Sequence, residues 1–374
     1  MTSDQDYMLG ALQLAKRGLG QVEPNPVVGA VIVKNGRIIG KGWHKKFGGP
    51  HAEINALENC KKRGNNPKGA TMFVTLEPCC HYGKTGPCTD ALIAAKLKKV
   101  VVATIDPSKH ANGKGIRQLR KAGIKVDVGL YEEGARVLNA PFMKFARTGK
   151  PWVTLKWAQS ADGFLARTDK KRWITGSKSR KDAHRLRRRA EAILVGINTV
   201  LKDDPLLTPR PGRGKKPIRI VLDEHLRIPL DRQLLATAKN VPVLVVTQDK
   251  MLRTKKAKQI ISRGAELLAC PKKSKSNLQF LLRYLGKRVI GHLLVEGGPT
   301  VIGSFLKENL ADGIVVYISP KVLEKRGAAD IDISPIDNYT QMRYVNMKRI
   351  GDDIKISGLT SEGLKAAGIH RNRL

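Results

Sequence analysis

The sequence predicts two α/β domains in tandem. Three observations carry this. Strand and helix signals alternate through both halves of the chain, which favours layered α/β architecture. The alternation breaks once, around Arg147-Thr148-Gly149-Lys150-Pro151. The chain has 374 residues, 41% of them apolar, enough for two cores.

The first half is justified element by element. Residues 4–18 predict a helix, because Tyr7, Met8, Ala11, Leu12, Leu14 and Ala15 approach helical spacing and Gly18 ends it. Pro24-Asn25-Pro26 makes a rigid turn. Val27 to Val33 is apolar and strand-sized, and Asn35-Gly36 turns it back into Arg37 to Gly42. A helix follows over His51 to Cys60, then a β-branched strand from Thr71 to Leu76. Helices at Thr89–Leu97 and Gly115–Ala122 alternate with strands at Val100–Ile105 and Ile124–Val128.

The second half repeats the alternation. Strands are expected at Trp152–Trp157, Ala192–Gly196, Ile218–Leu222, Val243–Thr247, Ala265–Leu268, His292–Glu296 and Gly313–Ile318. Helices are expected at Ser179–Arg189, Asn277–Leu285 and Thr300–Asn309. The domains are therefore placed at 1–148 and 149–357, with a basic extension over 358–374 as an appended helix or an unstructured tail.

Composition narrows the class. Asp4 and Asp6 stand where a secretory leader would be basic, and no apolar stretch is long enough to span a bilayer. The five cysteines (Cys60, Cys79, Cys80, Cys88, Cys270) are odd in number and clustered, so a disulfide framework is not expected and a reducing cytoplasm is. The net charge of +37 would attract polyanions or phosphorylated substrates. Its cations are scattered through nearly every segment and aromatics make up only 5%, so no dedicated nucleic-acid surface is expected.

The chemistry is concentrated in His51-Ala52-Glu53, Pro78-Cys79 and Cys88. One imidazole and two thiolates suit a tetrahedral zinc that keeps its fourth position for water. Glu53, two residues from His51, would carry the proton. His-x-Glu followed by Pro-Cys is the signature of hydrolytic nucleobase deaminases, whose second cysteine normally follows as Cys-x-x-Cys. Here the spacing is Cys-x8-Cys. A structural zinc would need a fourth protein ligand, which His81 could offer. In the second half Leu293-Leu294-Val295-Glu296-Gly297-Gly298-Pro299-Thr300 runs a strand into a glycine turn and a helix N-terminus, which suits a phosphate. No Gly-x-Gly-x-x-Gly supports a Rossmann fold.

These residues resemble the RibD family of bifunctional riboflavin-biosynthesis enzymes. The likeness includes Pro24-Asn25-Pro26-Val27-Val28-Gly29, Gly42-Trp43-His44, Thr75-Leu76-Glu77-Pro78-Cys79, Gly83-Lys84-Thr85, Pro87-Cys88 and Asp106-Pro107, and extends to about residue 356. The Cys-x8-Cys loop is the family's mark among zinc deaminases. The resemblance implies a cytidine-deaminase-like first domain and a dihydrofolate-reductase-like second domain. It also implies one zinc per chain, NADPH, a phosphorylated pyrimidine substrate and a homo-oligomer formed through the reductase domain. In the deaminase, Asn25, His44, His81 and Lys84 would hold substrate. Read locally, Asn25 equally shapes a turn and His44 equally ends a strand.

The reductase residues also come from the resemblance, through Lys156-Trp157-Ala158-Gln159-Ser160-Ala161-Asp162-Gly163, Trp173-Ile174-Thr175 and Asp203-Asp204-Pro205-Leu206-Leu207-Thr208. It implies NADPH at Ala158, Trp173, Thr199, Asp203, Gly298, Pro299 and Thr300. It implies substrate at Lys156, Arg187, Asp204, Leu207, Arg210 and Glu296. Arg187 and Arg210 suit a ribose phosphate, because guanidinium binds phosphate in two-point geometry. Lys156 and Asp204 are the candidate proton donors. Lys171, before Trp173, departs from the small polar residue frequent in the family.

Overall fold

The computed structural model describes residues 3–82, 86–167, 173–210, 216–271, 277–324, 327–328 and 342–369. Two compact units emerge, one of residues 1–148 with 366–374 and one of residues 149–365.

The first unit contains α1 (Asp4–Ala15), β1 (Gly29–Lys34), β2 (Arg37–Trp43), α2 (Ala52–Lys62), β3 (Thr71–Val74), α3 (Cys88–Ala94), β4 (Lys99–Val102), α4 (Lys114–Lys121), β5 (Lys125–Val128), α5 (Glu132–Leu138) and α6 (Ala140–Thr148). Its five strands are ordered β2-β1-β3-β4-β5. Strand β1 is antiparallel to both neighbours, while β3, β4 and β5 are parallel. Successive residues feed opposite faces, as the two-residue period of a strand requires. Ile32, Met72 and Val100 enter one core. Val31, Phe73 and Val101 enter the other, under α1.

Helix α2 sits hard against β2. A Cβ on Gly42 would fall 2.3 Å from the Ala52 carbonyl oxygen and from the Ala56 nitrogen, so only glycine lets the helix approach this closely. That approach fixes the helix start that carries His51 and Glu53.

The second unit contains β6 (Trp152–Gln159), β7 (Ala166–Arg167), α7 (Ser177–Arg189), β8 (Ala192–Gly196), α8 (Ile197–Asp203), β9 (Ile218–Leu222), α9 (Gln233–Ala236), β10 (Val243–Gln248), α10 (Lys255–Ser262), β11 (Glu266–Cys270), α11 (Asn277–Lys287), β12 (His292–Val295), α12 (Pro299–Lys307), β13 (Gly313–Ile318), β14 (Gly327–Ala328), β15 (Arg343–Ile350), β16 (Asp353–Leu359) and α13 (Ser361–Ala367), the last ending across the division. A nine-stranded sheet runs β11-β10-β9-β8-β12-β6-β13-β16-β15. From β11 to β13 all neighbours are parallel; β16 and β15 then add an antiparallel edge. Leu194, Ile220 and Leu244 face one core, Ile193, Val221 and Val245 the other. A parallel sheet covered on both faces gives apolar runs of this kind.

Several expectations are corrected. The stretch expected as an appended helix or an unstructured tail over 358–374 is described as far as residue 369, and it holds the end of a strand and a helix. Gly358 and Leu359 complete β16, paired with Ile314 and Gly313. Helix α13 follows with Leu364 and Ala367 buried. Residues 366–374 group with the first unit, where Arg136 donates to the Gly368 carbonyl. Helices α5, α6, α8, α9 and α10 and the β15–β16 hairpin were not anticipated. Among the described residues no helix is long and apolar enough to cross a membrane.

Candidate functional site

The zinc-type site lies where α2, the loop after β3 and α3 converge. His51 is the N-cap of α2 and Cys88 the first residue of α3. The Cys79 carbonyl accepts the backbone N–H of Thr89 at 3.1 Å and its hydroxyl at 3.3 Å, tying the loop to α3. The His51 Nδ1 lies 3.4 Å from the Cys79 Sγ and 3.3 Å from the Cys88 Sγ. All three donor atoms fall within 4.8 Å of one another. Zn–N and Zn–S bonds of about 2.0–2.1 and 2.3 Å give a tetrahedral N···S edge of about 3.6 Å, so the three residues fit zinc. His81 is outside this cluster, so the described donor set numbers three, as catalytic rather than structural zinc requires.

Glu53 is 3% exposed. Burial pushes its carboxyl up to about 7, against the pull of His51. Beside it the His44 ring meets His51 edge-on at 5.3 Å between centroids. The Pro50 carbonyl lies 3.0 Å from the His44 Nδ1, and the Asn25 Nδ2 lies 3.4 Å from its Nε2. Asn25 and His44 are thus brought beside His51. His81 is exposed and pairs with the ring of His110 at 5.7 Å. Lys84 lies outside the described residues, as does Lys171.

Sequence reasoning missed Glu77. Its buried carboxylate accepts four backbone N–H groups, from Asp106 and Gly113 on Oε2 and from Gly115 and Ile116 on Oε1. That fan anchors the segment Glu77-Pro78-Cys79 against the start of α4. Asn139 was missed as well; its amide takes both the N–H and the carbonyl of Val27, two residues from Asn25. The sequence marks Glu77 only by its place in Thr75-Leu76-Glu77-Pro78-Cys79, and it carries no signal for Asn139.

In the second unit a cleft of about 1720 Å³ opens at the carboxyl ends of the parallel strands. It gathers every reductase residue expected from the sequence. Ala158, Trp173, Thr199, Asp203, Gly298, Pro299 and Thr300 line it, and so do Lys156, Arg187, Asp204, Leu207, Arg210 and Glu296. Gly298 caps α12, and Pro299 begins it, where a missing N–H costs nothing. A Cβ on Gly297 would lie 2.6 Å from the Val301 Cβ, so the turn needs glycine. The Thr199 Oγ1 lies 3.9 Å from the place a Cβ would take on Gly298. Two strand ends therefore offer backbone donors side by side, which fits a pyrophosphate.

Arg187 donates to Glu296 through Nε at 2.8 Å and Nη2 at 2.6 Å. Burial alone would raise the Glu296 carboxyl; Arg187 and Lys156 outweigh it and hold it down at about 2. Burial lowers the Lys156 ammonium. One face of the Arg187 fork is thus already occupied. Asp204 caps α8 in the left-handed region and accepts the Gln233 N–H at 2.9 Å. Arg219, also missed, is fully buried; it donates to the Leu206 carbonyl at 3.3 Å and to the Thr237 hydroxyl at 2.7 Å, holding the segment that carries Leu207.

The fold and site define a zinc-dependent deaminase joined to a nicotinamide-dependent reductase. Residues 1–104 match the cytidine and deoxycytidylate deaminase zinc-binding region, and residues 151–356 match the RibD C-terminal domain. The riboflavin biosynthesis protein RibD of Aquifex aeolicus (strain VF5) is 47% identical over 356 residues, 94% of this chain and 97% of that protein. RibD of Escherichia coli (strain K12) is 38% identical over 373 residues, 94% of this chain and 98% of that protein. The structure of Acinetobacter baumannii RibD superposes with a TM-score of 0.81 at 36% identity, covering 96% of this chain and 99% of the other. The chain belongs to the RibD family of bifunctional riboflavin-biosynthesis enzymes. Its first domain is cytidine-deaminase-like and its second dihydrofolate-reductase-like, and zinc and NADPH are its cofactors.

Proposed function

We propose that residues 1–148 deaminate 2,5-diamino-6-(5-phosphoribosylamino)pyrimidin-4-one and residues 149–357 then reduce its ribosyl group. The final product is 5-amino-6-(5-phosphoribitylamino)uracil. A Thermotoga maritima relative, 37% identical over 95% of this chain and 98% of its own, bears the name of a deaminase and reductase for these compounds. The convergence of His51, Cys79 and Cys88 beside buried Glu53 carries the reading.

His51, Cys79 and Cys88 hold the zinc, which when bound supplies an activated water near neutral pH. Glu53 would move two protons in turn, one to the ring nitrogen as the hydroxyl adds to the carbon and a second from that hydroxyl to the departing amine, which leaves as ammonia. Asn25, His44, His81 and Lys84 position the pyrimidine and its phosphate.

When bound in the cleft, NADPH would supply the hydride taken up by the sugar C1, while the C1–O4 bond breaks and O4 gains a proton from the protein, opening ribose to ribityl. Ala158, Trp173, Thr199, Asp203 and the 298–300 turn hold the dinucleotide. Glu296 aims Arg187, whose remaining donors join Arg210 at the ribose phosphate. Lys156 is the proton source, since Asp204 is engaged by Gln233. Leu207 packs beneath the substrate.

The enzyme works as a homo-oligomer through its reductase domain, in a reducing cytoplasm that suits zinc thiolates. The test is product mass for the purified full chain with the diaminopyrimidine phosphate. Loss of one amine without NADPH, then gain of two hydrogens with it, is expected. Deamination with no NADPH-dependent step would overturn the reductase assignment.

A further inference from the structure

We propose that Tyr317 is a positioning residue of the reductase, its ring keeping the Lys156 ammonium charged, and that Asp182 holds this ring in place. This rests on the reading of Lys156 as proton source above. Strand β13 lies between β6 and β16. Tyr317 is in register with Ala158 on β6 and with Lys355 on β16. Cross-strand partners share a face of the sheet, and so do residues two apart on one strand. Lys156, Tyr317 and Lys355 therefore stand in a row on one face, where α7 contributes Asp182 and Arg187. The Lys156 and Lys355 Nζ atoms each lie 5.7 Å from the centre of the Tyr317 ring.

The two ends of the row differ. At one, both oxygens of Glu296 accept from Arg187. At the other, the Asp182 Oδ2 accepts from the Tyr317 hydroxyl and from the Lys355 Nζ, each at 2.7 Å. Burial would raise the Asp182 carboxyl; Lys355 and Tyr317 outweigh it and hold it low. Burial and Asp182 push the Tyr317 phenol well above its usual range, so it stays neutral. Its O–H is committed to Asp182, which leaves the ring as the part that meets Lys156. Tyr317 is fully buried yet borders the cleft together with Lys156, Arg187 and Glu296, while Asp182 and Lys355 lie behind the lining.

A proton donor must hold its proton before it can give it. Burial works against this at Lys156; Glu296 opposes burial, and the Arg187 charge adds to it. His184, also on α7, supplies no counter-charge, since burial and the charges of Arg187 and Arg210 hold its imidazole down. A tyrosine ring within about 6 Å of an ammonium attracts it through the negative face of the π-system, most strongly where water is excluded. Asp182 supports this twice. It fixes the ring through the hydroxyl, and it neutralises Lys355, whose charge would otherwise repel that of Lys156.

The test is the pH profile of kcat for NADPH-driven reduction of the pre-deaminated substrate by the full chain. The rate should fall at high pH as Lys156 loses its proton. Tyr317→Leu should move that limb to lower pH by about half a unit to one unit, the scale of a desolvated contact between an ammonium and a ring. Tyr317→Phe keeps a ring and should hold the limb nearer its place in the unaltered chain. Asp182→Asn should move the limb in the same direction as Tyr317→Leu. NADPH affinity by calorimetry should be unchanged in each variant, which also reports correct folding. A limb that stays in place in both Tyr317→Leu and Asp182→Asn, or an equal shift in Tyr317→Leu and Tyr317→Phe, would overturn the role of the ring. Lys156→Gln separates the two readings. If it keeps both rate and limb, the proton-source reading falls and this proposal with it. If it loses them while Tyr317→Leu leaves the limb unmoved, only the role of Tyr317 falls.

Discussion

Arg187 and Glu296, 109 residues apart, meet through two parallel hydrogen bonds at 2.8 and 2.6 Å on the floor of the reductase cleft. Both side chains are largely removed from water, 18% and 6% exposed. Such a pair is costly to break singly, because the surviving charge stays buried. Glu296→Gln should therefore destabilise the reductase transition by about 3–5 kcal/mol in chemical denaturation. The sign of its pH dependence is fixed. The folded value of about 2 lies below the unfolded one, so the contribution is full above about pH 4.3 and lost as pH falls toward 2. The variant should show a shallower acid limb; an unchanged limb would remove the pair from the account.

Glu53→Gln should lower deamination by about 100-fold or more, the usual scale for a proton-transferring group. Zinc content should be unchanged, because Glu53 lies outside the donor cluster. NADPH-dependent reduction of a pre-deaminated substrate should persist. Metal analysis with both assays decides this: retained deamination, or lost zinc, counts against the proton-carrying role.

Glu77→Gln tests the support of the metal loop. Glutamine keeps one oxygen but turns an amide NH₂ toward at least one pair of the four N–H donors that Glu77 now satisfies. Outer partners of this kind influence metal affinity by about 10–100-fold. Zinc retention against a competing chelator should fall by that order. Retention equal to the unaltered chain would show that the fan of bonds serves α4 alone.

The three residues that could hold a metal were legible because they sit at element ends that carry their own signals. His51 opens a helix, Cys79 follows Pro78 at a strand end and Cys88 follows Pro87. Interior strands were legible because burial on both faces makes them apolar throughout, as in Ala192–Gly196. The edge strand β15 is exposed along nearly its whole length, so no alternation marks it. Helix α10 buries only Ala257 and Ile260, too few positions to establish a period. Glu77 and Arg219 were illegible for another reason: their partners are mostly backbone groups brought near by tertiary folding, and no spacing records them.

His292 provides a pH test independent of either catalytic centre. Trp152 donates from Nε1 to the Thr154 hydroxyl at 3.2 Å, and that hydroxyl faces the His292 Nε2 at 2.9 Å. The hydroxyl thus gives its own proton to Nε2, while Nδ1 gives its proton to the Arg189 carbonyl at 3.3 Å. The ring is satisfied in its neutral form, and a second proton would meet a hydroxyl already turned to donate. Burial holds the imidazole down to about 4. Between about pH 6.5 and 4 the unfolded chain binds a proton that the folded chain refuses, so stability falls as pH falls through that window. His292→Asn removes the titrating group and should flatten this part of the denaturation profile, at some cost in stability at neutral pH. A slope between pH 6.5 and 4 as steep as that of the unaltered chain would place the proton uptake on another group.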